Sequence, residues 1–302
     1  MPEHDSAAAP PRLRVGVVGT GRAGSVLGAA LARAGHHVVA AYAVSEVSRL
    51  RAEALLPGVP LVSVEEVLAA ADLVLLTVPD DVLPGLVAGL AETGAVRPGQ
   101  FLAHASGRFG YAVLDPATRA GALPLALHPA MTFTGTSIDL ARLDGVPFGV
   151  TAPEPLRPVA EALVVEMGGD PVWVAEGHRV LYHAALAHGS NHLVTLEAQV
   201  LDLLRAAGVE DPARLVAPLL SAALDNVLRY GDQALTGPVT RGDAGTVAAH
   251  VRDIGAVSPE TRATYVALAR ATADRALANG MLKPAAAEAL LDVLSRTEEG
   301  AS

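Results

Sequence analysis

Cysteine is absent from this 302-residue chain. Disulfides, thiolate catalysis, iron–sulfur clusters and cysteine-ligated zinc are therefore excluded. Lysine is almost absent too: Lys283 is the only one, so a catalytic lysine could come only from near the C-terminus. Aromatic residues make up 3%, and the core must be aliphatic. Positive charge is not in excess. The formal net charge is −10 and no basic stripe offsets it, which argues against a nucleic-acid partner, because a phosphate backbone needs clustered cations. No apolar stretch approaches the roughly 20 residues that span a bilayer. The longest, around Leu73–Val78, is strand-sized, and no membrane association is expected. Residues 1–11 carry Glu3 and Asp5 where a secretory leader would be basic. They read as a flexible lead, and the chain as cytoplasmic.

What the chain does have is apolar content, 51%, enough to exclude disorder and, at this length, to fill two domains. The first half alternates strand and helix signals. Leu13–Val18, His37–Tyr42, Asp72–Val78, Gln100–His104, Leu123–His128 and Val146–Val150 read as strands, with Leu61–Val62 as a weak one. Helices are expected over 22–35, about 47–55 and 64–70, and Pro79 stands where another can begin. This rhythm implies an α/β fold with a doubly wound, mostly parallel sheet. From Gly177 onward only helices are expected, over about 178–206, 212–230, 243–253, 259–279 and 284–296. The expected division is a dinucleotide-binding domain over 12–175 and an all-helical domain over 176–297.

Gly19-Thr20-Gly21-Arg22-Ala23-Gly24 matches G-x-G-x-x-G directly after a strand and at the start of a helix. In that setting the first glycine allows the tight turn, the second lets backbone approach a pyrophosphate, and the third lets helix and sheet pack closely. The helix N-terminus offers free N–H groups to the phosphates. An acid about 20 residues further on would hold the ribose 2′-hydroxyl of NAD(H), but Ala43 and Val44 stand there. Ser45, Ser48 and Arg49 could instead grip the 2′-phosphate of NADP(H). Glu46 keeps NAD(H) as the alternative. Val78 and Pro79, within the segment Thr77–Asp80, end the long strand where a nicotinamide would lie.

A Rossmann domain followed by helices resembles the 6-phosphogluconate dehydrogenase-like superfamily. Within it the chain is similar to a bacterial branch of Rossmann-like NADP oxidoreductases, on HASG at 104–107, LHPAMTF at 127–133, YHAALAHGSNHLVTL at 182–196 and LTGPVTRGD at 235–243. The resemblance implies hydride transfer between nicotinamide and a small oxo or hydroxy acid in an interdomain cleft. Ketopantoate reductase is the nearest named activity. Prephenate dehydrogenase-like or imine reductase chemistry is the enzymatic alternative, and a non-catalytic dinucleotide-binding regulator the other.

By the same resemblance, Ser106 and His128 correspond to a serine and an H-P-M histidine that bind and polarise a substrate hydroxyl. His183, Ala187 and Asn191 share a helix face. Relatives carry a lysine where His183 stands, so His183 would be the substitute acid and Asn191 the orienting group. Arg241 could bind a substrate carboxylate; paired with Asp243 it would instead belong to a capped helix start. His188 and His192 are spaced like zinc ligands but lack the intervening glutamate and a third ligand, so no metal is expected. The helical domain has more apolar surface than it could hide alone, which predicts a homodimer built through it.

Overall fold

A computed structural model of the protein describes residues 12–295; the lead expected over 1–11 lies outside the described residues, as do 296–297. The chain divides into two compact units between Gly189 and Ser190, within a long helix.

The first unit is built on a seven-stranded sheet. In chain order it runs β1 (Arg14–Val18), α1 (Arg22–Arg33), β2 (His37–Tyr42), α2 (Glu46–Leu55), α3 (Val64–Ala70), β3 (Leu73–Leu76), α4 (Leu83–Glu92), β4 (Phe101–His104), α5 (Asp115–Arg119), β5 (Leu123–Pro129), α6 (Ile138–Arg142), β6 (Pro147–Thr151), α7 (Arg157–Glu166) and β7 (Asp170–Trp173). The spatial order is β2-β1-β3-β4-β5-β6-β7. Neighbours are parallel except β5 and β6, where His128 pairs with Gly149 in an antiparallel register. Chain order reverses between β1 and β3, which makes the crevice beyond their carboxyl ends the switch point of the sheet.

Continuous apolar strands are what two covered faces require. On β3, Leu73 and Leu75 join a core with Val26, Leu31, Phe148 and Leu163, while Val74 and Leu76 face Val67, Leu83 and Val87. Each such side chain contributes about 1.5–3 kcal/mol by leaving water. Two expectations need correction. Leu61 makes only an isolated bridge to Ala41, not a strand. Pro60, lacking an N–H, can offer only its carbonyl, which Ala41 N–H meets. The helix after β3 starts at Leu83 rather than Pro79, because the Pro79 carbonyl first closes a turn with Val82 and Leu83.

The remaining elements are helices: α8 (Arg179–Ala206), which crosses the division, then α9 (Pro212–Tyr230), α10 (Pro238–Arg241), α11 (Ala244–Val257), α12 (Pro259–Ala278) and α13 (Pro284–Ser295). Ser258 caps α12 by accepting from Thr261 N–H at 3.1 Å, with Pro259 in the first turn; such a cap contributes about 1 kcal/mol. Val247, Val251, Val266, Leu290 and Leu294 form the core of the second unit. By contrast, every residue from Ser221 to Tyr230 of α9 is exposed.

Candidate active site

The glycine loop opens at the switch point. Gly19 has φ +98°, a conformation costly for any side chain, and both its N–H and that of Thr20 donate to the Tyr42 carbonyl. A Cβ on Gly24 would collide with the Gly19 carbonyl oxygen and Thr77 Oγ1. A Cβ on Gly21 would meet nothing within 4 Å, so that position faces open space at the start of α1. Gly19 thus makes the turn and Gly24 the helix–sheet contact, while Gly21 is left uncovered. Thr77 Oγ1 donates to the Gly19 carbonyl at 2.6 Å, tying the end of β3 to the loop. Thr20 is buried and donates to the Ser48 carbonyl at 3.0 Å. Ala23 follows Arg22 in the first turn of α1, and Arg22 is exposed there.

At the end of β2, Ser45 and Ser48 form a reciprocal cap of α2. Ser48 N–H donates to Ser45 Oγ at 3.2 Å and Ser45 N–H to Ser48 Oγ at 3.0 Å. Ser48 is buried and also donates to the Ser45 carbonyl. Arg49 is exposed and lines a cavity of about 460 Å³ with Tyr42, Ala43, Leu61, Ser63 and Glu66. Glu66 is committed within it: its carboxylate accepts Ser63 N–H at 2.8 Å, which pulls its pKa below the usual range. The loop after β5 closes on the same region. A Cβ on Gly135 would lie 2.8 Å from Arg51 Nε and 3.1 Å from Arg22 Cα, and buried Asp139 holds that loop through the Thr134 and Gly135 N–H groups.

Further along the carboxyl edge, the HASG segment and β5 form a second cluster. His104 is buried; its Nδ1 accepts Ser106 N–H at 3.2 Å and its Nε2 lies 2.8 Å from the Gly110 carbonyl. The backbone donor at Nδ1 puts the ring proton on Nε2. Burial pushes its pKa down to about 4. That neutral ring shapes the turn that carries Ser106, whose hydroxyl accepts Phe109 N–H at 3.3 Å. Gly107 is where two imidazoles meet: a Cβ there would lie 2.6 Å from His183 Cδ2 and 2.8 Å from His128 Nε2.

His128 and His183 face each other at 6.0 Å, nearly perpendicular. His128 Nδ1 lies 2.9 Å from the Tyr182 hydroxyl. Burial first, then the Arg179 and His183 charges, lower the His128 pKa to about 4, so the ring is neutral at physiological pH. Arg179 is buried. Its Nη2 donates to the Ala126 and Gly149 carbonyls at 3.1 and 3.2 Å, while Nε and Nη1 have no partner. Burial lowers its pKa to about 10.

The structure brings His128 and His183 together at Gly107, the residue after Ser106, whereas the sequence groups Ser106 with His128 and His183 with Asn191. Tyr182, Arg179 and Gly107 complete the cluster and were not singled out as site residues. Spacing gave one signal: Tyr182 and His183 adjoin at the start of a helix, but only tertiary packing turns Tyr182 towards His128. Val78 is half-buried and Pro79 exposed just past β3. Asn191 is exposed on α8 beyond the division of the units. Arg241 is exposed at the end of α10, and Asp243 spends its carboxylate capping α11 through Thr246 N–H at 3.0 Å. Among the described residues no cluster of three metal-ligating side chains occurs, and no helix is long and apolar enough to cross a membrane.

Residues 1–129 match the Rossmann-like domain family, and residues 146–272 match a domain of unknown function, DUF2520. Each match covers less than half of the chain, and the two follow one another along it. This pairing agrees with the 6-phosphogluconate dehydrogenase-like superfamily that its motifs resemble. Three similar solved structures span nearly their whole length in this comparison. A candidate NADP oxidoreductase from Bacteroides fragilis is 21% identical, with a TM-score of 0.73 over 87% of this chain and 98% of that one. A protein from Thermotoga maritima is 20% identical, with a TM-score of 0.68 over 87% and 99%. An imine reductase from Myxococcus stipitatus in complex with NADP+ is 18% identical, with a TM-score of 0.61 over 86% and 92%. No curated protein matches the sequence itself.

Proposed function

We propose that this chain is an NADP(H)-dependent oxidoreductase acting on a small C=O or C=N substrate. The observation that carries the reading is the glycine loop at the switch point. Gly24 is locked against the sheet, while Gly21 faces open space beside the free N–H groups of α1. The pyrophosphate would lie on residues 19–24, and the 2′-phosphate beside Ser45 and Arg49. When bound, the nicotinamide supplies the hydride. This chain's own contribution is a neutral His128 that can give a proton to the developing oxyanion or amine, with Ser106 and His183 beside it. Oxidoreductases among the similar structures support the class: the Bacteroides protein and several imine reductases.

A ketopantoate-like 2-oxo acid and a cyclic imine are the two substrate classes worth separating. NADPH consumption with a panel of both is expected to show saturable turnover with one, lowered about 100-fold in His128→Ala. A folded chain that binds NADPH and reduces neither panel would make it the regulatory protein instead. The homodimer is proposed through α8 and α9, where Val194, Leu219 and Leu228 are 69%, 68% and 79% exposed. Apolar exposure of that extent marks an interaction surface.

A further inference from the structure

The Tyr182 hydroxyl is 2.9 Å from His128 Nδ1, and either group could be the donor on geometry alone. The surroundings of the phenol decide between them. Its oxygen lies against the Gly149 backbone, 2.5 Å from where a Cβ would stand. Burial raises the Tyr182 pKa, so the hydroxyl keeps its proton at neutral pH, and its hydrogen-bond partner among the described residues is His128 Nδ1. With that one partner the phenol donates to Nδ1, since a proton on Nδ1 would leave the O–H without a protein acceptor. A neutral imidazole that accepts at Nδ1 carries its proton on Nε2, the atom held against Gly107. The chain of donors therefore runs from Tyr182 O–H to Nδ1 and outward from Nε2–H. Arg179 stands beside this chain, its guanidinium carbon 5.7 Å from the Tyr182 ring centre, with two buried N–H-bearing nitrogens unpartnered.

We propose that Tyr182 and His128 form a two-proton relay that delivers from His128 Nε2, with Arg179 placed to hold the charge left on the phenol. This rests on the reading of His128 as proton donor and adds the source of its proton. The balance is simple. As negative charge develops on the substrate oxygen or nitrogen, the Nε2–H bond breaks and a new O–H or N–H bond forms. The phenol O–H bond breaks and Nδ1–H forms, so the imidazole stays neutral throughout. The negative charge ends on the Tyr182 oxygen, beside Arg179, until solvent protonates Nε2 and the Nδ1 proton returns to the phenolate. A relay of this kind also explains why a histidine pushed down to about 4 can serve at neutral pH: it never needs to be cationic. The charged and titratable groups acting on His128 are Arg179, His183, Asp80 and His104; of these only Asp80 favours its cation. Tyr182 and Arg179 act through His128 and are positioning residues.

The test is ¹⁵N-histidine NMR of the full-length protein at neutral pH, with the His128 signals assigned by His128→Gln. The expected spectrum has His128 neutral, protonated at Nε2, with Nδ1 shifted by an accepted hydrogen bond. Tyr182→Phe should remove that Nδ1 shift while leaving NADPH-induced thermal stabilisation unchanged. With NADPH and either pyruvate or 1-pyrroline as probe, the same variant should lower kcat about tenfold with KM unchanged, a split that loss of packing would not give. A proton on Nδ1, a cationic ring, or a spectrum indifferent to Tyr182→Phe would overturn the relay. Lack of NADPH binding by the wild-type chain would instead strike the oxidoreductase reading, since the tautomer is read without any ligand.

Discussion

The two units of this chain treat their apolar residues differently. In the first, strands β1, β3 and β5 are sealed on both faces, and its polar features are turned towards the carboxyl edge of the sheet. In the second, α11, α12 and α13 enclose a small core, yet α9 leaves Leu215, Leu219, Leu224 and Leu228 in solvent. The first unit holds the glycine loop and the histidine cluster entire. The second keeps an exposed apolar face on α9. On the proposed reading, binding and proton chemistry belong to the first unit and assembly to the second.

Glycine replacements sharpen this contrast most. Gly24→Val drives a side chain into the Gly19 carbonyl and should unfold or severely destabilise the first unit, seen as a lost or greatly lowered thermal transition. Gly21→Val has room and should fold normally, yet lose NADPH binding. Next comes assembly: Leu219→Glu with Leu228→Glu should give monomers in sedimentation while NADPH binding persists. Persistence of the dimer would place the interface elsewhere.

Acid should affect the first unit specifically. His104 binds a proton more tightly unfolded (6.5) than folded (about 4), so the unfolded state takes up more protons in that window. Its contribution, about 3 kcal/mol, is present above pH 6.5 and is lost as pH falls towards 4. His104→Gln, which keeps a donor for the Gly110 carbonyl, should flatten that dependence in denaturant titrations at several pH values. A smaller effect is expected at His128: alanine there should lower turnover about 100-fold with NADPH affinity intact. The smallest concerns cofactor choice. Arg49→Ala should weaken NADPH about tenfold and leave NADH unaffected; equal changes with both would defeat the 2′-phosphate assignment.

Much of the sheet was legible because its signals are local. The run Leu73–Leu76 announces a strand covered on both faces, and Gly19–Gly24 announces its turn by spacing alone. The weak strand at Leu61–Val62 was not resolvable, since two apolar residues between a proline and a helix-capping serine look the same whether they make a ladder or one bridge. The site was half legible. Ser106, His128 and His183 stood out as chemistry-bearing residues in motifs. Arg179 and Tyr182 did not, because nothing in the sequence says that the first turn of α8 lies against the β5–β6 pair. Their roles come from contacts across more than 50 positions of chain. Ser48 teaches the reverse: a hydroxyl well placed by spacing is taken up by the helix it begins.

The central claim is that residues 19–24 hold a dinucleotide, and calorimetric titration of NADPH into the wild-type chain and Gly21→Val tests it most directly. Saturable binding by the wild type and none by an equally stable Gly21→Val protein is the result expected. Equal binding by both, or no heat from a folded wild-type chain, would contradict it.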